Sequence, residues 1–309
     1  MKLIWNIDRR SLARRAAAVC GLALLAGCSL TRFGYERLDW VARWQAGRYV
    51  SLTQQQETVF DDRFAEFWDW HRREELPLWI DELRTLAAQA DDTRRVTRQK
   101  LAQMSERYGR SMQRMAQRLA PVACEVGPQL SDEQTEELLD AVDERIDEFR
   151  RERVEAAPED RRKAAIDAIE KPLRRWLGRI TDEQQAIIRD WQDRRPAVSP
   201  AWLAYRKAWR SELAATLKTR SAPDFCARAT RLITDGSVLW TEDQRAIFTA
   251  DREHWLDLFD ALLPTLGEDQ QRHVRRRLLG LAQDFEAVLP GHATAGRAQP
   301  AEPAAAQRS

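Results

Sequence analysis

The sequence predicts an all-α protein, an elongated multi-helix bundle with helices bent at prolines, and three observations predict it. Ala, Leu, Arg, Glu and Gln dominate, while Gly and Pro number only twelve each and gather between long stretches. Apolar residues recur at steps of three and four over long windows. No alternating β-branched run bounded by turn residues interrupts them. The chain divides into a leader at 1–27, an all-helical domain at 28–289 and a tail at 290–309 that is too poor in large apolar side chains to order itself.

The leader opens with Lys2, Arg9, Arg10, Arg14 and Arg15 against one acid, Asp8, and continues with a charge-free run from Ala16 to Gly27. That is the layout of a secretion signal. The run is too short for the ~20 residues of a spanning helix. Leu25-Ala26-Gly27-Cys28 resembles a lipobox, the signal of bacterial lipoproteins. The resemblance implies diacylglycerol on the Cys28 thiol, cleavage before Cys28, and acylation of the new amine with a fatty acid such as palmitate. Ser29, standing where an Asp would retain the protein, implies the periplasmic face of the outer membrane by the same resemblance. The alternative is an ordinary signal with an incidental cysteine. Several acyl chains at ~0.8 kcal/mol per buried methylene hold firmly to a membrane.

Net charge is +1 for the whole chain, and loss of the basic leader turns the remainder slightly acidic. That balance lacks the polyanion-binding signature of a nucleic-acid binder. Cys20 leaves with the leader and Cys28 carries lipid, so Cys124 and Cys226 remain as a pair in an oxidising compartment. A disulfide between them is the economical reading, two buried thiols the other.

The first helix is expected from Tyr35 to Tyr49, with Leu38, Val41, Trp44 and Tyr49 as an apolar stripe that packs on the body or touches lipid headgroups. Residues 53–90 follow, with Phe60, Phe64, Phe67, His71 and Leu78 in helical register and Pro77 expected to bend or split the helix. A polar, Arg-rich helix at 92–120 carries Leu101, Met104, Tyr108, Met112, Met115 and Leu119 on one side, and the stretch from Pro121 to Pro128 is expected to break it. The helix at 131–157 turns Leu138, Leu139, Val142, Ile146 and Phe149 inward and a solvated acidic face outward. Further helices are expected at 159–178, bent at Pro172, and at 182–194, 200–219, 223–235, 242–263 and 268–289. In the segment before Pro264, Phe248, Trp255, Leu258 and Leu262 form a wide apolar face.

One pattern recurs at five helix starts: Leu52-Thr53-Gln54-Gln55-Gln56, Leu130-Ser131-Asp132-Glu133-Gln134, Ile180-Thr181-Asp182-Glu183-Gln184, Trp240-Thr241-Glu242-Asp243-Gln244 and Leu266-Gly267-Glu268-Asp269-Gln270. Ser or Thr can cap a first-turn amide while Gln three residues on returns to the cap's own amide, and the acids suit the positive end of the helix. Gly267 lacks the hydroxyl, which weakens the fifth copy. The pattern also resembles the Leu-Thr-x-x-Gln motif of the Spy and CpxP periplasmic chaperones. Unequal spacing excludes a fixed-period solenoid.

A second resemblance covers more of the chain. Gly34-Tyr35-Glu36-Arg37-Leu38-Asp39-Trp40 after the lipobox, and Trp70-His71-Arg72-Arg73-Glu74-Glu75-Leu76-Pro77 after the first cap, resemble a proteobacterial lipoprotein family defined by domain of unknown function 6279. It implies an all-helical lipoprotein and brings no activity.

No phosphate loop, nucleophile elbow, Cys-x-x-Cys or His-Glu-x-x-His motif is present. The expectation is a protein that is not an enzyme and carries no cofactor and no metal. His71 with Glu74, and Asp251 with His254, form two short His-plus-carboxylate pairs, but the first is reversed and the second has Asp where helical di-iron sites use Glu. A half-buried His is the simpler reading. Tryptophan and arginine are the residues most enriched in binding hot spots, and all twelve Trp but Trp5 lie beyond the leader. Core packing is the competing reading, since indole spans wide gaps. The expected partner, besides the membrane, is an envelope protein or polymer, held in a groove lined by Phe67, Trp70, His71, Arg72, Arg73 and Trp79. A chaperone is one version; a structural or regulatory lipoprotein with one dedicated partner is the alternative.

Overall fold

A computed structural model describes residues 38–90 and 96–290. The leader, Cys28 and the tail beyond Pro290 lie outside the described residues. Within them every regular element is helical, as the periodicity predicts: α1 (Leu38–Ala46), α2 (Gln54–Trp70), α3 (Leu76–Gln89), α4 (Arg98–Val126), α5 (Asp132–Arg150), α6 (Pro158–Leu177), α7 (Asp182–Arg194), α8 (Val198–Lys218), α9 (Phe225–Thr234), α10 (Glu242–Leu262) and α11 (Glu268–Glu286). Short 3₁₀ turns close α4, precede α10 and precede α11. None of these helices is long and apolar enough to cross a membrane.

The two proline expectations meet different outcomes. Ahead of Pro77 the α-helix is interrupted without the chain leaving helical structure: α2 passes into α3 through a π-turn, His71–Glu75, whose exit is marked by the Leu76 amide donating to the His71 carbonyl. Proline lacks a donor and its ring crowds the carbonyl four residues back, here that of Arg73. One wider turn just upstream absorbs both defects. Pro121 lies inside α4, which continues to Val126. Ala120 beside it is buried, and packing against α2 and α9 holds the helix through the missing hydrogen bond. Pro172 likewise sits within α6.

The caps form as read. Thr53, Ser131, Thr181 and Thr241 each accept from the amide three residues on, and the matching Gln returns to the cap amide. At Gly267 only the return arm exists, Gly267 N–H to Gln270 Oε1 at 3.3 Å. Gly178 ends α6 at φ +78°, a backbone that side chains other than glycine's rarely adopt.

Three apolar clusters hold the helices together. Ile166, Ile169, Ile180, Ile188, Trp191, Leu258 and Leu262 join α6, α7 and α10. Leu76 and Ile80 of α3 pack on Ala282, Phe285 and Val288 at the end of α11 and just beyond it. Val126, Leu130, Leu217, Phe225 and Ala229 join α4, α8 and α9. Cys124 and Cys226 are bonded, with Cα atoms 4.6 Å apart, and tie α9 to α4 across a separation of 102 residues. In the chain-entropy model a loop of that size stabilises the fold by up to about 4–5 kcal/mol.

Candidate functional site

The capping glutamines do more than close their own turns. Gln56 and Gln134 form a reciprocal amide pair, Nε2 to Oε1 at 3.0 and 2.7 Å. Each also donates to the carbonyl two residues ahead of the other's cap, Gln56 to Gln129 at 2.8 Å and Gln134 to Ser51 at 2.7 Å. Gln184 and Gln270 repeat the arrangement, with both cross-bonds at 2.9 Å and donations to the Thr265 and Arg179 carbonyls. The starts of α2 and α5 are thus clamped to each other, and so are those of α7 and α11.

The first clamp stands beside an apolar cavity of about 830 Å³, partly open and lined by α1, α2, α4, α5, α8 and α9. Phe60 and Phe64 come from α2, Val122 and Val126 from α4, Val142 and Ile146 from α5, Trp202, Trp209 and Leu213 from α8, and Ala229 and Leu232 from α9. From α1 and the turn after it come Ala42, Ala46, Tyr49 and Val50. Gly127 lets the Phe225 ring lie against the backbone, since a Cβ there would stand 2.4 Å from the ring. Among the described residues Arg145 and Arg206 are the only charged groups in the wall; the first pairs with Glu148 at 2.8 Å and the second lies over the Phe149 ring at 4.4 Å. Among the described residues no carboxylate lines the space. One polar anomaly does: the Thr216 hydroxyl is buried and has no hydrogen-bond partner. Leaving such a group unmet costs on the order of 1–3 kcal/mol.

The residues read from the sequence as a groove lining are not brought together as one. Phe67 and His71 are buried, at 9% and 6% exposure, and cannot form an open surface. The extra residue of the π-turn carries His71 and Glu75 inward together. Trp70 donates to Glu74 at 2.9 Å beneath the Arg118 guanidinium, and Arg73 reaches back to Asp69 at 3.1 Å. Arg72 lies over the Trp68 ring at 5.9 Å. Trp79 donates to Ser111 at 2.9 Å and to Glu75 at 3.2 Å.

Glu75 is the centre of this cluster: it accepts from Ser111 at 2.5 Å and from both arms of Arg114 at 2.8 Å. Burial alone pushes its pKa up, but the bonds from Arg114, Ser111 and Trp79 outweigh it and hold the carboxyl below its ordinary range. His71 is shifted down by burial, with the Glu75 charge opposing. A carboxylate this fully satisfied is a structural pin rather than a waiting acid. Phe60, Phe64, Phe67 and His71 form a ladder with ring centroids 5.6 to 6.1 Å apart, running from the cavity to this pin.

The other acid–histidine pair is also engaged. Asp251 is clamped by Arg195 at 2.7 and 3.0 Å, and His254 Nε2 sits 2.8 Å from the Trp191 carbonyl. Among the described residues no three His, Cys, Asp or Glu side chains converge as metal ligands. Sequence reasoning missed the cavity, whose walls are ordinary core residue types. The signals within reach were the paired small residues Ala42 and Ala46, and a threonine at 216 on an apolar face.

Fold and site together define a class: an all-helical protein, disulfide-braced, around an apolar cavity. Its family is visible as well. The model of a family of unknown function, DUF6279, matches residues 48–245, and the chain belongs to that family. The matched span takes in both cysteines and the cavity walls from α2, α4, α5, α8 and α9. Neither a curated protein nor a solved structure gives a match.

Proposed function

We propose that the chain is a lipid-anchored binding protein of the bacterial envelope, held through Cys28 on the periplasmic face of the outer membrane. It works without covalent chemistry, and its ligand is the acyl chain of an anionic amphiphile. The cavity carries this reading. At about 830 Å³ it is in the ~300–1,000 Å³ range of small-molecule sites, and its wall is mainly apolar, the polar groups being two arginines, the hydroxyls of Tyr49, Tyr205 and Thr216, and the indole N–H groups of Trp202 and Trp209. Each methylene moved from water into such a wall contributes ~0.8 kcal/mol. Arg145 and Arg206 supply positive charge for a carboxylate or phosphate head, and the Thr216 hydroxyl offers the ligand an unmet hydrogen-bonding group. The Arg- and Trp-rich binding surface expected from the sequence thereby moves from the His71 turn to Trp202, Trp209, Arg145 and Arg206.

The test is displacement of an environment-sensitive fluorescent fatty acid from the delipidated protein. Palmitate is expected to displace it at micromolar concentration, and Leu213→Trp, which fills the cavity, to weaken binding about ten-fold or more. No saturable binding, or equal binding by the filled variant, overturns the reading. Protection of an unfolding client protein by the wild type, abolished by the same filling, would assign the cavity to a protein segment instead.

A further inference from the structure

Helix α1 presents two faces of opposite character. Ala42 and Ala46 turn inward and wall the cavity. On the other side Trp40 and Trp44 stand 62% and 54% exposed, stacked on each other with centroids 6.4 Å apart. Arg48 extends the same face, its guanidinium 5.4 Å over the Trp44 ring. Arg43 is also exposed and anchors α1 to α2 through Asp61 at 2.8 Å. Two bare indoles leave far more apolar area in water than surface residues normally do, and they form one continuous patch flanked by cations.

We infer that this face docks on a phospholipid bilayer, with α1 lying in the headgroup layer and forming the wall between membrane and cavity. Three features select a bilayer as occupant. Tryptophan with arginine on one face of a short helix matches the headgroup region, where the indole ring is apolar and its N–H stays wet. The positive flank complements anionic lipid. The position of the chain outside the described residues fixes the third: Cys28 precedes α1 by ten residues, which at ~3.3–3.6 Å each span at most about 36 Å, and Arg32 and Arg37 lie between. The last feature rests on the lipid-anchor reading; the first two do not. Docking in this pose sets the cavity one helix thickness from the lipid, with the small residues Ala42 and Ala46 on the cavity side of that helix.

The experiment uses the chain from residue 28 onward carrying Cys28→Ser, which contains every described residue and has no acyl chain. Flotation with vesicles of phosphatidylethanolamine and phosphatidylglycerol is expected to carry it, and brominated lipid to quench part of its tryptophan emission. Trp40→Ala with Trp44→Ala is expected to weaken partition about ten-fold or more and to remove the quenching, with the thermal midpoint unchanged because both rings are exposed. Val238→Ser, at another exposed apolar position, is expected to leave partition as in the wild type. The inference is overturned if the unlipidated chain does not float, or if the double variant floats as well as the wild type. Fatty-acid displacement measured on the same unlipidated chain without the tryptophan substitutions reads the cavity separately, so failure of that chain to float with displacement intact sinks this inference alone.

Discussion

The two glutamine clamps are the same device set in opposite surroundings. Around Gln184 and Gln270 the core is solid. Trp191 is 2% exposed, donates to the His254 carbonyl at 2.6 Å, stacks on the His254 ring and touches Trp255. Ile188 and Gln184 are wholly buried beside it. Around Gln56 and Gln134 the helices stand apart over a cavity, and a disulfide braces the wall. Local capping therefore sets where helices begin, while side-chain volume decides whether the space between them closes. A half that leaves space open forgoes packing energy, and the covalent tie between α4 and α9 offsets part of that loss.

The largest effect expected from this contrast is at Trp191. Trp191→Ala should lower unfolding free energy by about 3–5 kcal/mol, because the site is close-packed and the indole's hydrogen bond goes with it. Leu213→Ala already faces open space and should cost about 1 kcal/mol, since little new cavity is created. Urea unfolding of both variants measures the difference. Equal losses would mean that the second core is as full as the first.

The next effect separates the clamps themselves. Gln184→Ala removes one member of a pair buried on both sides and orphans the Thr181 amide and the Gln270 side chain, at an expected cost of about 2–3 kcal/mol. Gln56→Ala leaves Gln134 partly exposed, so water can take the vacated bonds and the cost should be nearer 1 kcal/mol. Thermal unfolding ranks the two. A larger loss at Gln56 would reverse the assignment of the solid and hollow halves.

What was legible follows from the range of each interaction. A capping box acts within four residues, so helix starts at 54, 132, 182, 242 and 268 stand in the sequence as written. The Cys124–Cys226 bond was legible as the economical pairing of the two cysteines outside the expected leader and lipid site. Which caps pair was not, because Gln56 and Gln134 are 78 residues apart and Gln184 and Gln270 are 86, and a cap's return arm looks the same with or without a partner. Pro121 misled because propensity is local and packing overrides it, carrying α4 on to Val126. On α1 the stripe through Leu38, Val41, Trp44 and Tyr49 left body packing and headgroup contact both open, and hydrophobicity could not show that Trp44 stands exposed while the small residues Ala42 and Ala46 face the cavity. The cavity itself has no sequence signature: Phe64 or Leu213 looks the same against a neighbour or against a void.

The smallest expected effect is the acid response, and it distinguishes the halves by mechanism. In the solid half the lowered carboxylate is Asp193, held down by the hydrogen bond from Arg162 on an exposed surface, so salt should screen it. At the end of the aromatic ladder from the cavity, both His71 and Glu75 have native pKa values below those of the unfolded chain. Each therefore contributes stability that is fully present above its ordinary pKa and is lost as pH falls through its native one. For His71 the decline begins near pH 6.5, when the unfolded chain takes the proton that the buried ring resists; for Glu75 it begins in the carboxylate range and steepens below it. In 1 M salt the decline from pH 7 toward pH 4 should persist, because these groups are shielded from counterions. His71→Gln should remove its upper portion while leaving stability at pH 7.5 within about 1 kcal/mol of wild type. Amide exchange at pH 5 should then rise along the π-turn and α2 before it rises around Trp191. A decline that vanishes in high salt, or exchange that rises first around Trp191, would place the acid-sensitive pin in the solid half instead.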